Sequence, residues 1–243
     1  MKHIRKLICA ALVAALLLVT AAPAFAAVSV YTDGNTLYMT STSGETPPFA
    51  SIQIDGLKST SKITGVKSSN KSVASVYSTA MSSYIQTIHE SNKTYKEYFS
   101  TIFVEPLKVG SATISFNVDG KSYNQKFTIA KYANPVKTFK LTGISGENLK
   151  SKFAKSAFAS GKLKTASKAG YFQVDAASGW KIQRIEWNNY NGEDSRCYLT
   201  PYGTSSAKIK VPAMKKGDDY SASATFFNTK TKGTITVCYN LYG

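Results

Sequence analysis

The sequence predicts an all-β protein made of two consecutive antiparallel β-sandwich domains. From residue 28 onward, short segments of alternating apolar and polar residues are separated by Gly, Asn, Asp and Ser, a spacing typical of sandwiches. The pattern is clearest over 109–129, where a strand, the dipeptide Asp119-Gly120 and a return strand follow one another. Both central residues of a type I′ turn need positive φ, which Asp-Gly supplies. The predicted core-facing residues of these two strands are Ala112, Ile114, Phe116, Val118, Tyr123, Phe127 and Ile129.

Residues 1–26 have the pattern of a secretory signal peptide. Three basic residues within the first six positions precede an apolar run from Leu7 to Val19, and the small residues Ala24 and Ala26 place the cleavage before Ala27. The apolar run is too short to cross a bilayer and lacks a stop-transfer flank, so no transmembrane anchor is predicted. The chain is therefore predicted to be secreted, in the extracellular space or associated with the cell wall.

The charge is strongly basic. The formal net charge is +16, and it falls to +13 when the three basic residues of the signal peptide are removed. A secreted protein of this charge is attracted to anionic surface polymers, although plain solubility explains the charge equally well. No nucleic-acid-binding module is recognisable and the compartment is wrong for one, so no specific nucleic-acid partner is predicted.

Two cysteines remain after the predicted cleavage, Cys197 and Cys238. Both fall on predicted strands, and exported proteins use paired cysteines as disulfides. We therefore predict a disulfide between them. The alternative is that each is a separate small residue of the core.

Two motifs in the first half resemble a known family. Gly65–Tyr77 (GVKSSNKSVASVY) and Leu107–Val118 (LKVGSATISFNV) are similar to the Ser-Ser-Asn-x-x-Val-Ala-x-Val and Lys-x-Gly-x-Ala-x-Ile strands of the bacterial immunoglobulin-like domain, group 2 (BIG2). The resemblance implies an immunoglobulin-like sandwich over residues 27–132. It also implies extracellular adhesion or association with the cell surface, with binding through loops and strand edges. It names no ligand.

The sequence departs from the family over residues 78–100, where an aromatic-rich insertion replaces a short hairpin. We interpret the insertion as a long hairpin or flap, with Tyr84 and Tyr95 as candidate ligand-binding residues. The alternative is that its aromatic side chains pack on the sandwich edge or on the second domain. His89 is the only histidine after the signal peptide, so neither a metal nor another cofactor is predicted.

Residues 133–136 are predicted to be a linker, because Pro135 breaks strand pairing. Residues 137–243 then form a second predicted sandwich, also immunoglobulin-like, in which no family is recognised. Trp180 and Ile182 occupy even-numbered positions, whereas Ile185 and Trp187 occupy odd-numbered ones, so a regular strand would place the two pairs on opposite faces. A β-bulge near residues 183–184 reconciles the two parities.

The sequence contains no recognisable catalytic constellation, and we predict that the protein is not an enzyme. The acidic residues Glu186, Glu193 and Asp194 cluster in and beside an Asn/Gly-rich turn, which is typical of solvated loop acids. A glycan-acting hydrolase, which would need paired carboxylates across a cleft, ranks third among the functions considered.

The best binding candidate in the second domain is a loop that combines aromatic rings and amides, formed by Trp187, Asn188, Asn189 and Tyr190 with Tyr202 nearby. Sugars stack on aromatic faces and pair with amides, and Trp and Tyr also anchor protein partners. Trp187 is alternatively a core residue. The leading prediction is a secreted adhesion or binding protein whose partner is a cell-wall or host glycan, an anionic polymer or a protein. A carbohydrate-binding protein that uses this loop is the alternative.

Overall fold

A computed structural model describes residues 27–32, 34–39, 50–88, 93–141, 148–163, 165–192 and 195–243, with the backbone alone at 86–88, 93, 95, 201 and 202. The predicted signal peptide, His89, Glu193 and Asp194 lie outside the described residues. Within these ranges no helix has the length and apolar character needed to cross a bilayer.

The all-β prediction is confirmed. The first half contains β1 (Ser29–Thr32), β2 (Thr36–Met39), β3 (Ala50–Leu57), β4 (Ile63–Ser68), β5 (Ala74–Ser78), β6 (Ser82–Ile88), β7 (Lys93–Pro106), β8 (Gly110–Val118) and β9 (Lys121–Lys131). The second half contains β10 (Val136–Leu141), a 3₁₀ helix (Leu149–Phe153), β11 (Phe158–Lys162), β12 (Gly170–Ala176), β13 (Trp180–Asn189), β14 (Ser195–Thr204), β15 (Ser206–Val211), β16 (Tyr220–Asn228) and β17 (Thr234–Tyr242).

The strands form four sheets. Sheet 1 has the order β1-β3-β7-β5 with β6 also paired to β7, and sheet 2 has the order β2-β9-β8-β4. In the second half, sheet 3 has the order β10-β12-β15 and sheet 4 the order β11-β17-β16-β13-β14. Most pairings are antiparallel, but β2 pairs with β9 and β11 with β17 in parallel.

The β8–β9 hairpin forms as its sequence predicts. Asp119 and Gly120 have φ values of 50° and 84°, so the turn uses the left-handed backbone that Asp-Gly favours. The alternating apolar residues of β8 are buried, as are Phe127 and Ile129 on β9, and Tyr123 packs against the same core. This apolar face is covered by sheet 1, in which Ile52, Ile54, Ile102 and Val104 are fully buried.

The insertion at 78–100 contains a hairpin. Its strand β6 pairs with β7 from Ser82–Phe99 to Ile88–Lys93. Because β3 pairs with β7 no further than Tyr98, the part of β7 before that residue pairs, among the described strands, with β6 alone. Within the described residues the insertion therefore contributes the antiparallel pair β6–β7, whose base is continuous with sheet 1.

The second half has its own core between sheets 3 and 4. The predicted bulge in β13 is confirmed, because its register with both neighbouring strands shifts between Ile182 and Arg184. The shift keeps Trp180, Ile182, Ile185 and Trp187 all buried. Val136, which the sequence assigns to the linker, is buried in this core and begins β10.

Tyr38 of the first half belongs to the core of the second half. The Tyr38 ring lies 5.3 Å from the ring of Trp180 at 51°, and only 5% of Tyr38 is exposed. The Tyr38 hydroxyl forms a hydrogen bond with the Thr231 hydroxyl. The Thr36 hydroxyl donates to the backbone carbonyl of Thr231 at 3.0 Å. A Cβ atom at Gly233 would lie 2.7 Å from the Thr36 carbonyl oxygen, so only glycine allows this close approach of the two halves.

Candidate functional site

Trp187 does not present a binding surface. Its side chain is fully buried and stacks on Tyr220, with ring centroids 5.5 Å apart and planes at 27°. Its indole nitrogen has no hydrogen-bond acceptor among the described residues. The interpretation of Trp187 as a ligand-stacking residue is therefore wrong, because β13 turns this position into the core of the second half.

The amides of the predicted loop serve its own structure. Asn188 accepts a hydrogen bond from the Ser195 hydroxyl at 2.7 Å, and Asn189 accepts one from the backbone N–H of Asn191 at 2.9 Å. Tyr190 is 67% exposed, and its backbone N–H donates to Asp219. The side chain of Tyr202 lies outside the described residues. The loop thus holds one exposed ring, that of Tyr190, because Trp187 is buried.

The predicted disulfide is not formed, and Cys197 and Cys238 are both free thiols. They lie in one row of sheet 4, in which Cys238 pairs with Ser223, Ser223 with Glu186, and Glu186 with Cys197. Three inter-strand steps separate them by about 14 Å, whereas a disulfide needs Cα atoms within about 7 Å. Cys197 is exposed, and Cys238 is half-buried, which raises the pKa of its thiol.

Of the predicted acidic cluster, the structure describes Glu186 alone. Glu186 forms an ion pair with Arg184 on the outer face of sheet 4. No group of three or more His, Cys, Asp or Glu side chains is placed to hold a metal ion within the described ranges.

Tyr84, in contrast, lies on an aromatic surface, the outer face of sheet 1. Three tyrosines on this face are each about half exposed: Tyr31 (49%), Tyr77 (49%) and Tyr84 (47%). Tyr77 stacks on Phe103 with ring centroids 5.2 Å apart, and Tyr84 packs on Phe99 at 5.9 Å. The side chain of Tyr95, the other predicted residue of the insertion, lies outside the described residues.

The polar residues between these rings are connected. Tyr31 of β1 pairs with Gln53 of β3, and Gln53 pairs with Thr101 of β7, so the three lie in one row across the sheet. The Thr101 hydroxyl donates to the Gln53 side-chain oxygen at 2.9 Å, and the Gln53 amide donates to Asp55 at 3.0 Å. The Gln53 amide, in the row of Tyr31, is therefore held by hydrogen bonds with Thr101 and with the Asp55 carboxylate.

Acidic residues also concentrate on this face. Four acidic residues are described within 27–136, and three of them, Asp55, Glu97 and Glu105, lie on it. The Tyr84 hydroxyl donates to Glu97, and this hydrogen bond, followed by desolvation and by the negative charges of Glu97 and Asp55, raises the pKa of the Tyr84 phenol. The outer face of sheet 1 is thus an acidic, aromatic surface on a basic chain.

Sequence reasoning missed Tyr31, Tyr77 and Phe103 as members of this surface. A usable signal was present in β7, where Phe99, Thr101 and Phe103 alternate with the core residues Ser100, Ile102 and Val104. Aromatic residues at the outward parity of a strand indicate a second apolar face.

Comparisons with known proteins give no family. No family model matches the chain, and no curated protein matches it. Among solved structures, it is similar to domains 4–9 of the surface layer protein SbsC, with 13% identity, a TM-score of 0.31, and coverage of 90% of this chain and 32% of that chain. It is also similar to the Yersinia pseudotuberculosis adhesin InvE (10% identity, TM-score 0.21, 87% of this chain and 58% of that chain). A third similar structure is invasin, a bacterial integrin-binding protein (13% identity, TM-score 0.23, 88% and 38%).

The chain thus spans about a third of the length of the first of these structures.

Proposed function

We propose that this chain is a secreted, non-catalytic binding protein of the cell surface, built of two immunoglobulin-like modules. Its partner contacts the outer face of sheet 1. Membership of residues 27–132 in the bacterial group 2 family is part of the proposal and rests on the two sequence motifs. The single observation that carries the binding site is the set of half-exposed rings of Tyr31, Tyr77 and Tyr84 on one sheet face.

These rings have the properties of interface anchors. Tyrosine supplies a large contact area and loses little conformational entropy when it is immobilised. Tyr77 and Tyr84 are already packed against Phe103 and Phe99, so their orientation is partly fixed before a partner arrives. Such preorganised aromatic residues carry most of the binding energy in many protein interfaces.

A second candidate function, carbohydrate binding, is favoured by the polar row on the same face. Tyr31 pairs with Gln53, whose amide donates to the Asp55 carboxylate, and an exposed ring on the same face as an amide and a carboxylate suits a sugar ring and its hydroxyls. The carbohydrate hypothesis therefore moves from the buried Trp187 to sheet 1.

The test compares the wild type with the triple variant Tyr31→Ala/Tyr77→Ala/Tyr84→Ala. The matched control, Phe158→Ala/Tyr190→Ala/Tyr242→Ala, removes three exposed rings from the second half. Both variants and the wild type are applied to purified cell walls, a glycan array and extracellular matrix proteins at about 0.5 M NaCl, where exposed charge pairs are screened. We expect the sheet 1 variant alone to lose binding by tenfold or more, as the removal of anchor residues does. Equal binding by all three proteins contradicts the proposal, and a defined glycan as the sole ligand selects the carbohydrate function.

A further inference from the structure

We propose that the outer face of sheet 3 is a second binding site, and that its ligand is the chain of an anionic polysaccharide. This inference goes beyond the proposed function and does not depend on the outer face of sheet 1. The site is defined by Lys140 on β10, Tyr171 and Gln173 on β12, and Lys208 and Lys210 on β15. Together these residues form the cationic face of the second half.

The strand register fixes the spacing of the charges. Lys140 pairs with Gln173, and Gln173 pairs with Lys208, so two lysines flank one amide in a single row. Two inter-strand steps separate the backbones of these lysines by about 10 Å, and Lys210 follows Lys208 along β15 by about 7 Å. A polymer that carries a negative charge at regular intervals can contact all three ammonium groups while its hydroxyls meet the Gln173 amide.

An aromatic ring holds one of these lysines in place. The Lys208 ammonium lies 4.0 Å from the centre of the Tyr171 ring, within the range of a cation–π contact. A lysine that is already positioned loses less side-chain entropy when an anion binds. The same contact covers one face of the Tyr171 ring. A nucleic-acid base cannot stack on a covered face, so single-stranded nucleic acid is disfavoured as the ligand.

One negative charge, that of Asp175 on β12, lies on the same outer face of sheet 3 beside Gln173. Asp175 accepts a hydrogen bond from the Ser206 hydroxyl at 2.6 Å, and this bond lowers the pKa of its carboxyl group despite partial desolvation. Hydrogen bonds with Thr138 and Gln173 and the charge of Lys137 lower the pKa further, so these neighbours hold this carboxylate in its ionised form. Residues 137–243 contain 17 Lys and Arg against 7 Asp and Glu. An anion that approaches this half therefore meets a strongly positive field.

The cationic face continues into a cleft between the edge strands β14 and β15. The cleft has a volume of about 520 Å³ and is lined by Arg196, Cys197, Ile209, Lys210, Val211 and Pro212. Arg196 and Lys210 contribute positive charge to its walls, whereas Ile209, Val211 and Pro212 are apolar. Charged walls beside apolar surface suit the carboxylate and the C–H face of an acidic sugar, so a polymer lying across sheet 3 has room for one unit here.

The experiment measures binding of the full predicted mature chain to polygalacturonate, neutral dextran, phosphatidylglycerol vesicles and single-stranded DNA. The test variant is Lys140→Ala/Lys208→Ala/Lys210→Ala. The control is Lys67→Ala/Lys71→Ala/Lys126→Ala, which removes the same charge from exposed positions of the first half. Circular dichroism checks that both variants retain the wild-type fold.

We expect the wild type to bind polygalacturonate and not dextran. The test variant should lose about tenfold or more in affinity, and the control less than about threefold. The slope of log K against log salt should become shallower by about 2 in the test variant, since three polymer charges are no longer neutralised. Equal losses of polygalacturonate affinity in both variants would show that binding depends only on net charge, and this result would overturn the proposal. Tighter binding of vesicles or DNA through the same lysines overturns it as well, and each of these results leaves the sheet 1 hypothesis untouched.

Discussion

The ring of Tyr38, on the second strand of the first half, packs against the ring of Trp180 and so belongs to the core of the second half. We expect Tyr38→Ala to lower the free energy of unfolding by about 3 kcal/mol, because a buried aromatic side chain leaves a cavity. Tyr31→Ala, on the exposed face, should change it by less than about 0.5 kcal/mol. Urea denaturation monitored by tryptophan fluorescence measures both. If Tyr38→Ala is as stable as the wild type, the ring does not join the two halves.

Trp187 should act on stability and not on binding. Trp187→Ala is expected to cost about 3–5 kcal/mol, as large-to-small changes of a buried aromatic residue do. Trp187→Phe should cost less, because it removes an indole N–H that has no acceptor among the described residues. Tyr190→Ala serves as the control and should leave the urea midpoint unchanged. A folded Trp187→Ala protein that has lost glycan binding would restore this residue as a ligand contact.

The two thiols should remain unpaired within one molecule. In the native protein we expect a thiol reagent to modify Cys197 quickly and Cys238 slowly, because Cys238 is partly buried and burial raises the pKa of its thiol. In denaturant without reductant, both should react in the monomeric fraction. A monomer two mass units lighter with no reactive thiol would mean that the disulfide exists and that the register of sheet 4 is wrong.

Asp119 should make the stability depend on pH. Its carboxylate accepts hydrogen bonds from the Lys62 N–H at 2.8 Å and the Ser61 hydroxyl at 2.7 Å, and these bonds lower its pKa in the folded state. The stabilisation that the Asp119 carboxylate contributes to the folded state is therefore fully present above its unfolded-state pKa, and it is lost as the pH falls through its folded-state pKa. Asp119→Asn keeps a residue that tolerates positive φ, so it should be less stable than the wild type at pH 7 and converge with it in strong acid. A stability difference that is constant across this range would show that the carboxylate charge is not involved.

The parts of the fold that sequence reasoning predicts are those specified locally. Alternation and Asp119-Gly120 together determine the β8–β9 hairpin, and the change of parity between Ile182 and Ile185 locates the bulge in β13. The parallel pairing of β2 with β9 joins segments far apart in the chain, and no local pattern encodes it. The separation of Cys197 from Cys238 depends likewise on strand order.

The candidate site was only partly predictable for a related reason. Tyr84 stands out in the sequence because it lies in an insertion, whereas Tyr31 and Tyr77 lie on ordinary strands. Which side of such a strand is covered by the opposite sheet is decided by tertiary packing. The same uncertainty made Trp187 look like a loop residue, although its position on β13 places it in the core.

The most direct measurement of the proposed function is a tyrosine footprint of the bound protein. The chain is first bound to the cell wall, glycan or matrix protein that retains it in the test of the tyrosine variants. The bound and the free protein are then iodinated, and the modification of each tyrosine is compared between the two states by mass spectrometry. Comparing each residue with itself removes the effect of the raised pKa of Tyr84. We predict that Tyr31, Tyr77 and Tyr84 become protected together, while Tyr190 and Tyr242 react as they do in the free protein. Protection of Tyr190 with continued reaction of the three sheet 1 tyrosines would contradict the central claim.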